Sequence, residues 1–128
     1  SLAHLFGNVI PFIFLGAVLA SRKQFVNVLV WGTILTGVIL WLQPFQGGIH
    51  LGASGVVLCF FAFILGRAFV TRDKVDILFA GAVLLGYWTL FFSLFNFSEG
   101  ISWTGHFAGF IAGMLLAIYW DKVPKIIK

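Results

Sequence analysis

A chain of 128 residues that is 61% hydrophobic and 9% charged lacks the polar coat of a soluble domain, which is usually about half apolar and about a quarter charged. Its net charge of +4 does not make a nucleic-acid-binding face, because every Lys and Arg falls in three short clusters, Arg22/Lys23, Arg67/Arg72/Lys74 and Lys122/Lys125/Lys128. A lone cysteine, Cys59, excludes an intrachain disulfide and a cysteine-based metal site.

A bilayer core about 30 Å thick calls for around 20 mostly apolar residues per helix. Five segments meet that need: Leu2–Ala20, Phe25–Leu42, Ser54–Val70, Ile77–Phe97 and Ser102–Trp120. The runs are too long and too apolar for barrel strands, so the expected fold is an all-α bundle of transmembrane helices. The chain starts at Ser1 and no basic stretch precedes the first apolar run, which predicts removed upstream sequence and argues against a signal peptide.

The connections alternate in character. Ser21–Gln24, Thr71–Asp76 and the tail from Asp121 carry or adjoin every Lys and Arg, whereas Gln43–Ala53 and Asn96–Ile101 have Glu99 as their one charge. The positive-inside rule then sets the basic connections and the C-terminus on the cytoplasmic side, with the N-terminus external. One further helix upstream is expected in a complete protein. Trp41 and Trp103 suit the outer interface and Trp120 the inner one. The uncharged, glycine-rich stretch from Gln43 to Ala53 reads as a loop dipping back into the protein, and its His50 as a loop residue without chemistry.

Polar side chains inside such a bundle are expensive, so their depth is informative. Ser54 precedes Arg67 by 13 residues, Asn8 precedes Arg22 by 14 and His106 precedes Lys122 by 16, which puts them about 20, 21 and 24 Å above the basic end. Three helices thus bring one polar residue each to a single layer, with His4 one turn above Asn8 on the same face. A serine hydroxyl becomes nucleophilic when a histidine takes its proton, and Asn or His side chains can donate to the oxyanion that follows. Ser54 opens a helix, where free N–H groups and the dipole favour negative charge. Asp73, Asp76 and Asp121 lie at the other side and Glu99 in a loop, so the pattern is a Ser–His dyad without a carboxylate. Gly52 and Gly55 flank the serine, giving a sharp entry and open access to it. Gly109 and Gly113 form a stripe on the face of His106 that allows close helix packing. No cofactor or metal is called for.

His4-Leu5-Phe6-Gly7-Asn8, Gly52-Ala53-Ser54-Gly55 and Gly105-His106-Phe107-Ala108-Gly109, continuing to Gly113, resemble the three motifs of the rhomboid proteases, H-x-x-x-N, G-x-S-G and G/A-H-x-x-G-x-x-x-G. The resemblance covers residues 1–128 as one membrane domain, from the family's second helix to its sixth. It implies intramembrane serine endopeptidase activity, with Ser54 as nucleophile, His106 as base, and an oxyanion site made by His4, Asn8 and the Ser54 backbone N–H. The implied setting is a multi-pass protein of a prokaryotic inner membrane, in contact with the bilayer and with single-span membrane protein substrates, and with no nucleic-acid or metal partner. Two departures stand out: the family's first helix and the loop after it are absent, and Leu58 replaces a common Tyr one turn after the serine that stacks on the histidine.

Two other functions compete with proteolysis. A catalytically silent relative that binds transmembrane clients is disfavoured by the intact Ser54 and His106. A small transporter or channel more often shows inverted repeats or charges within its spans, and neither is present. The span containing Phe79, Trp88, Phe91, Phe92, Phe95 and Phe97 is read as lipid-facing packing, with a gate for substrate entry as the sharper alternative.

Overall fold

The computed structural model describes residues 2–42, 53–95 and 103–128, apart from the side chains of His4, Leu5, Ser93 and Trp103. Five helices follow in order: α1 (Leu2–Ser21), α2 (Phe25–Leu42), α3 (Ala53–Thr71), α4 (Lys74–Ser93) and α5 (Trp103–Ile118), with a 3-10 turn at Trp120–Lys122. No strand occurs among the described residues. Three stretches there are long and apolar enough to cross a membrane: Phe25–Leu42, Ala53–Thr71 and Lys74–Phe92. The expected all-α membrane bundle is the fold observed.

The spans match their expected bounds closely, except that α4 starts three residues before Ile77 and ends at Ser93, before the expected Phe97, with Leu94 and Phe95 in a turn. Asp73 caps it, accepting from the backbone N–H groups of Val75 and Asp76, so the helix begins inside the basic turn. Inside α4, Tyr87 leaves helical geometry (φ −132°, ψ 28°) and kinks the helix.

α3 is the centre of the bundle. Eight consecutive residues, Val57 to Ile64, are buried, which a helix achieves only when neighbours cover every face. α2 turns a single stripe inward through Val28, Gly32, Thr36 and Leu40. Phe12 of α1, Phe25 of α2 and Phe60 of α3 meet as a trio with ring centroids 5.4 to 6.1 Å apart. α4 buries little beyond Ala80 and Val83. Its Trp88 and Phe92 point outward, while Phe91 and Phe95 lie edge-on to Phe110 and Phe107 of α5. Phe97 lies outside the described residues.

Glycines set the distance between α3 and α5. A Cβ on Gly109 would collide with the Gly55 carbonyl group, and one on Gly113 with the Cys59 carbonyl and the Ala62 methyl. Gly66 faces Ala117 in the same way. Backbone therefore rests on backbone along most of this pair of helices.

One end of the bundle carries the basic turns. Arg22 pairs with Asp76 at 3.0 Å and Asp73 at 3.5 Å, tying the α1–α2 turn to the α3–α4 turn. Arg67 donates to the Ala117 carbonyl at 3.0 Å, satisfying an acceptor at the end of α5. The tail folds back onto α2: buried Asn27 donates to the Ile127 carbonyl and accepts from the N–H groups of Ile126 and Ile127, and the Trp31 indole donates to the Pro124 carbonyl. Trp120, expected at the interface, is buried instead, packed on Phe63 with Lys125 over its ring. Trp41 is highly exposed, as an interfacial residue should be.

Gly113→Ala should lower the melting temperature in detergent, since overpacking this contact costs about 1–3 kcal/mol. Gly81→Ala, where no atom lies within 4 Å of the new methyl, should leave it unchanged or slightly higher. Equal effects of the two substitutions would show that the α3–α5 contact is not the tight one.

Candidate active site

Ser54 is the second residue of α3, and its backbone N–H is among the four that a helix start leaves without an intrahelical acceptor. His106 is the fourth residue of α5. The close approach of α3 and α5 at Gly55 and Gly109 sets these two side chains opposite each other, with His106 Nε2 3.2 Å from Ser54 Oγ. For the serine to donate across that distance, the ring proton must sit on Nδ1. Both side chains are half-buried.

A cavity of about 300 Å³ opens beside the pair. Ser54 and His106 line it together with Asn8 of α1, so three of the four polar residues singled out from the sequence share one space. The fourth, His4, lies in the first turn of α1 with its side chain outside the described residues. Gly52 and His50 lie outside the described residues too, as does Glu99. The rest of the wall is apolar or small: Ala3, Gly7, Val57, Leu58 and Leu90. Among the described residues no Lys, Arg, Asp or Glu lines the cavity, and the Asp73 and Asp76 carboxylates are engaged by Arg22 at the basic end. Leu58 and Leu90 share that wall with the imidazole.

Two features of the wall were not anticipated from the sequence. Leu90 reaches the cavity from α4, one leucine among many in an apolar span, and nothing in the sequence marks it. Pro11 lies within α1 and has no N–H, so the carbonyl of Gly7, itself on the cavity wall, loses its regular helical donor. That signal was legible: a proline four residues after a glycine in a span exposes a backbone acceptor. Gly7 has no neighbouring atom within 4 Å of a built Cβ, which keeps this side of the cavity open.

The arrangement gathers the groups that acyl transfer uses. A hydroxyl, a ring nitrogen in hydrogen-bond reach, an amide side chain and a helix N-terminus converge on a space large enough for a peptide segment. It is a helical membrane protein with a serine–histidine pair held inside the bundle. The family model for the rhomboid domain matches residues 1–122, and the chain belongs to the rhomboid family. Its similar relatives include uncharacterised proteins of Mycobacterium tuberculosis and Mycobacterium bovis, each 31% identical over 134 residues, covering 95% of this chain and 55% of the relative. An uncharacterised protein of Mycobacterium leprae is 35% identical over 137 residues, covering 95% of this chain and 52% of its own length. The chain thus spans about half the length of the curated relatives it matches. No solved structure matches it.

Proposed function

We propose that the chain is the catalytic domain of an intramembrane serine protease, with residues 1–128 forming one unit equivalent to the second to sixth helices of its family. The observation that carries this reading is the 3.2 Å approach of His106 Nε2 to Ser54 Oγ on the wall of a cavity that also holds Asn8, in a chain of the rhomboid family.

In the proposed reaction, Ser54 Oγ attacks the carbonyl carbon of a substrate peptide bond as His106 Nε2 takes its proton. The tetrahedral oxyanion accepts hydrogen bonds from Asn8 Nδ2, from His4 and from the Ser54 backbone N–H, helped by the positive end of the α3 dipole. His106 returns the proton to the leaving nitrogen as the C–N bond breaks, which leaves an ester on Ser54. Water, losing its proton to His106, then attacks that ester, and the proton passes back to Ser54 Oγ. The mostly apolar described wall lowers the local dielectric and so strengthens each of these contacts.

Substrates in this reading are single-span membrane proteins. They are cut near the outer end of their helix, because Ser54 and His106 sit toward the end of the bundle opposite the basic turns. The segment to be cut must leave helical form, so helix-weakening residues there favour cleavage. The basic turns and the C-terminus are assigned to the cytoplasmic face of a prokaryotic inner membrane. A silent client-binding protein would share this fold, so the test must read chemistry and not binding.

A fluorophosphonate probe should label the protein in detergent. Labelling should vanish in Ser54→Ala and fall by about 100-fold or more in His106→Ala, as expected for loss of a general base. A Ser54→Ala protein that labels like wild type would overturn the assignment, and a folded wild type that never labels would favour the silent reading.

Asn8→Ala should reduce the turnover number on a model transmembrane substrate by roughly 100-fold, with the melting temperature little changed, because the lost donor acts mainly in the transition state. Unchanged turnover would reduce Asn8 to helix packing.

A further inference from the structure

Away from the cavity, the α3–α4 corner at the basic end has a surface that proteolysis does not use. An open groove of about 370 Å³ runs along it, walled by Leu65, Ala68 and Phe69 of α3, Ile77 of α4 and, at its mouth, Arg72. From Leu65 to Arg72 it extends roughly 10 Å along the helix axis. Phe69 is 75% exposed and Ile77 50%, so both present apolar surface to whatever surrounds the bundle.

The charges at the mouth are unbalanced. Asp73 caps α4 and pairs with Arg22, and Asp76 is held by Arg22 and by the Thr71 hydroxyl. Both nearby carboxylates are therefore committed to the other side of the turn. Arg72 lies over the Phe69 ring, 5.6 Å from its centroid, and neither it nor Lys74 forms an ion pair among the described residues. Arg72 also adopts a left-handed backbone (φ 55°), a position after a helix end where Gly or Asn is the usual residue.

We propose that this groove binds an anionic glycerophospholipid. One acyl chain lies along Leu65, Ala68, Phe69 and Ile77, and the phosphate is held between Arg72 and Lys74. The match is one of charge and polarity together: an apolar trough of acyl-chain character ends at Arg72, with Lys74 two residues on at the start of α4 and no ion pair to either among the described residues, at the level where basic side chains meet a headgroup layer. A zwitterionic lipid fills the trough equally well but brings its own cation to the mouth. A second protein chain would have to bury Arg72 and Lys74 against a complementary acidic surface, and on this chain both acids of the turn are already paired.

The test is native mass spectrometry of the detergent-solubilised protein with phosphatidylglycerol or phosphatidylcholine of identical chains. Wild type should retain phosphatidylglycerol in preference by roughly 30-fold, from about fivefold per basic side chain near a headgroup. In Arg72→Asn/Lys74→Gln, where Asn suits the left-handed backbone, the preference should fall to near parity. In Lys122→Gln/Lys128→Gln, which removes the same charge elsewhere at this end, it should persist. Parity in wild type would overturn the proposal without recourse to any variant, and so would an equal loss in both double variants. Displacement of the lipid by glycerol phosphate alone would show that the mouth binds a free phosphate and that the groove contributes nothing. A dimer that dissociates in Arg72→Asn/Lys74→Gln would assign the groove to a second copy and overturn it too.

Discussion

The contact between Gly55 of α3 and Gly109 of α5 is the constraint on which the rest of the structure depends. No side chain stands between the two backbones there, and a single Cβ at Gly109 would overlap the Gly55 carbonyl. A serine hydroxyl and an imidazole are short reaches from their backbones, so helices at ordinary side-chain-separated spacing could not bring them to 3.2 Å. In lipid, apolar surface gives no net drive for helices to associate, and close van der Waals packing of small residues supplies it instead. The same glycines therefore hold the bundle together and set the distance across which a proton would move.

The polar interactions are divided between the two ends. The end with the basic turns is tied by ion pairs and hydrogen bonds: Arg22 joins two turns, Arg67 closes α5, and Asn27 clamps the tail. The end with the cavity gathers Ser54, His106 and Asn8 in a space with no Lys, Arg, Asp or Glu among its described lining residues. The described ion pairs thus lie at the end away from the cavity. α4 is the least committed helix, buried at few positions and bent at Tyr87. Its outer half touches α5 through the Phe91–Phe110 ring pair, and Phe95 in the turn after it packs on Phe107.

What could be read from the sequence follows from scarcity. In a chain so apolar, Ser54, His106 and Asn8 stand out as chemical types that a bilayer tolerates only with a reason, and counting from the basic clusters placed them in one layer. Glycine spacing announced the α3–α5 contact for a similar reason. The central position of α3 was hidden, because core and lipid are equally apolar and periodicity loses its contrast. Trp120 looked interfacial for the same reason, although Phe63 and Lys125 enclose it. Asn27 and Leu90 act through partners distant in sequence, and local pattern does not encode that. The early start of α4 did have a local signal, the capping Asp73, which was outweighed by the charges around it.

The most direct test of the central claim is a distance measurement between labelled Ser54 Cβ and His106 Nε2 by solid-state NMR in lipid, in wild type and in Gly109→Ala. The account predicts strong dipolar dephasing in wild type, from a ring nitrogen in direct hydrogen-bond reach of the hydroxyl. It predicts loss of that dephasing in Gly109→Ala, with the helices still inserted. Equal dephasing in both proteins would contradict it, because the glycine contact would then not be what sets Ser54 against His106.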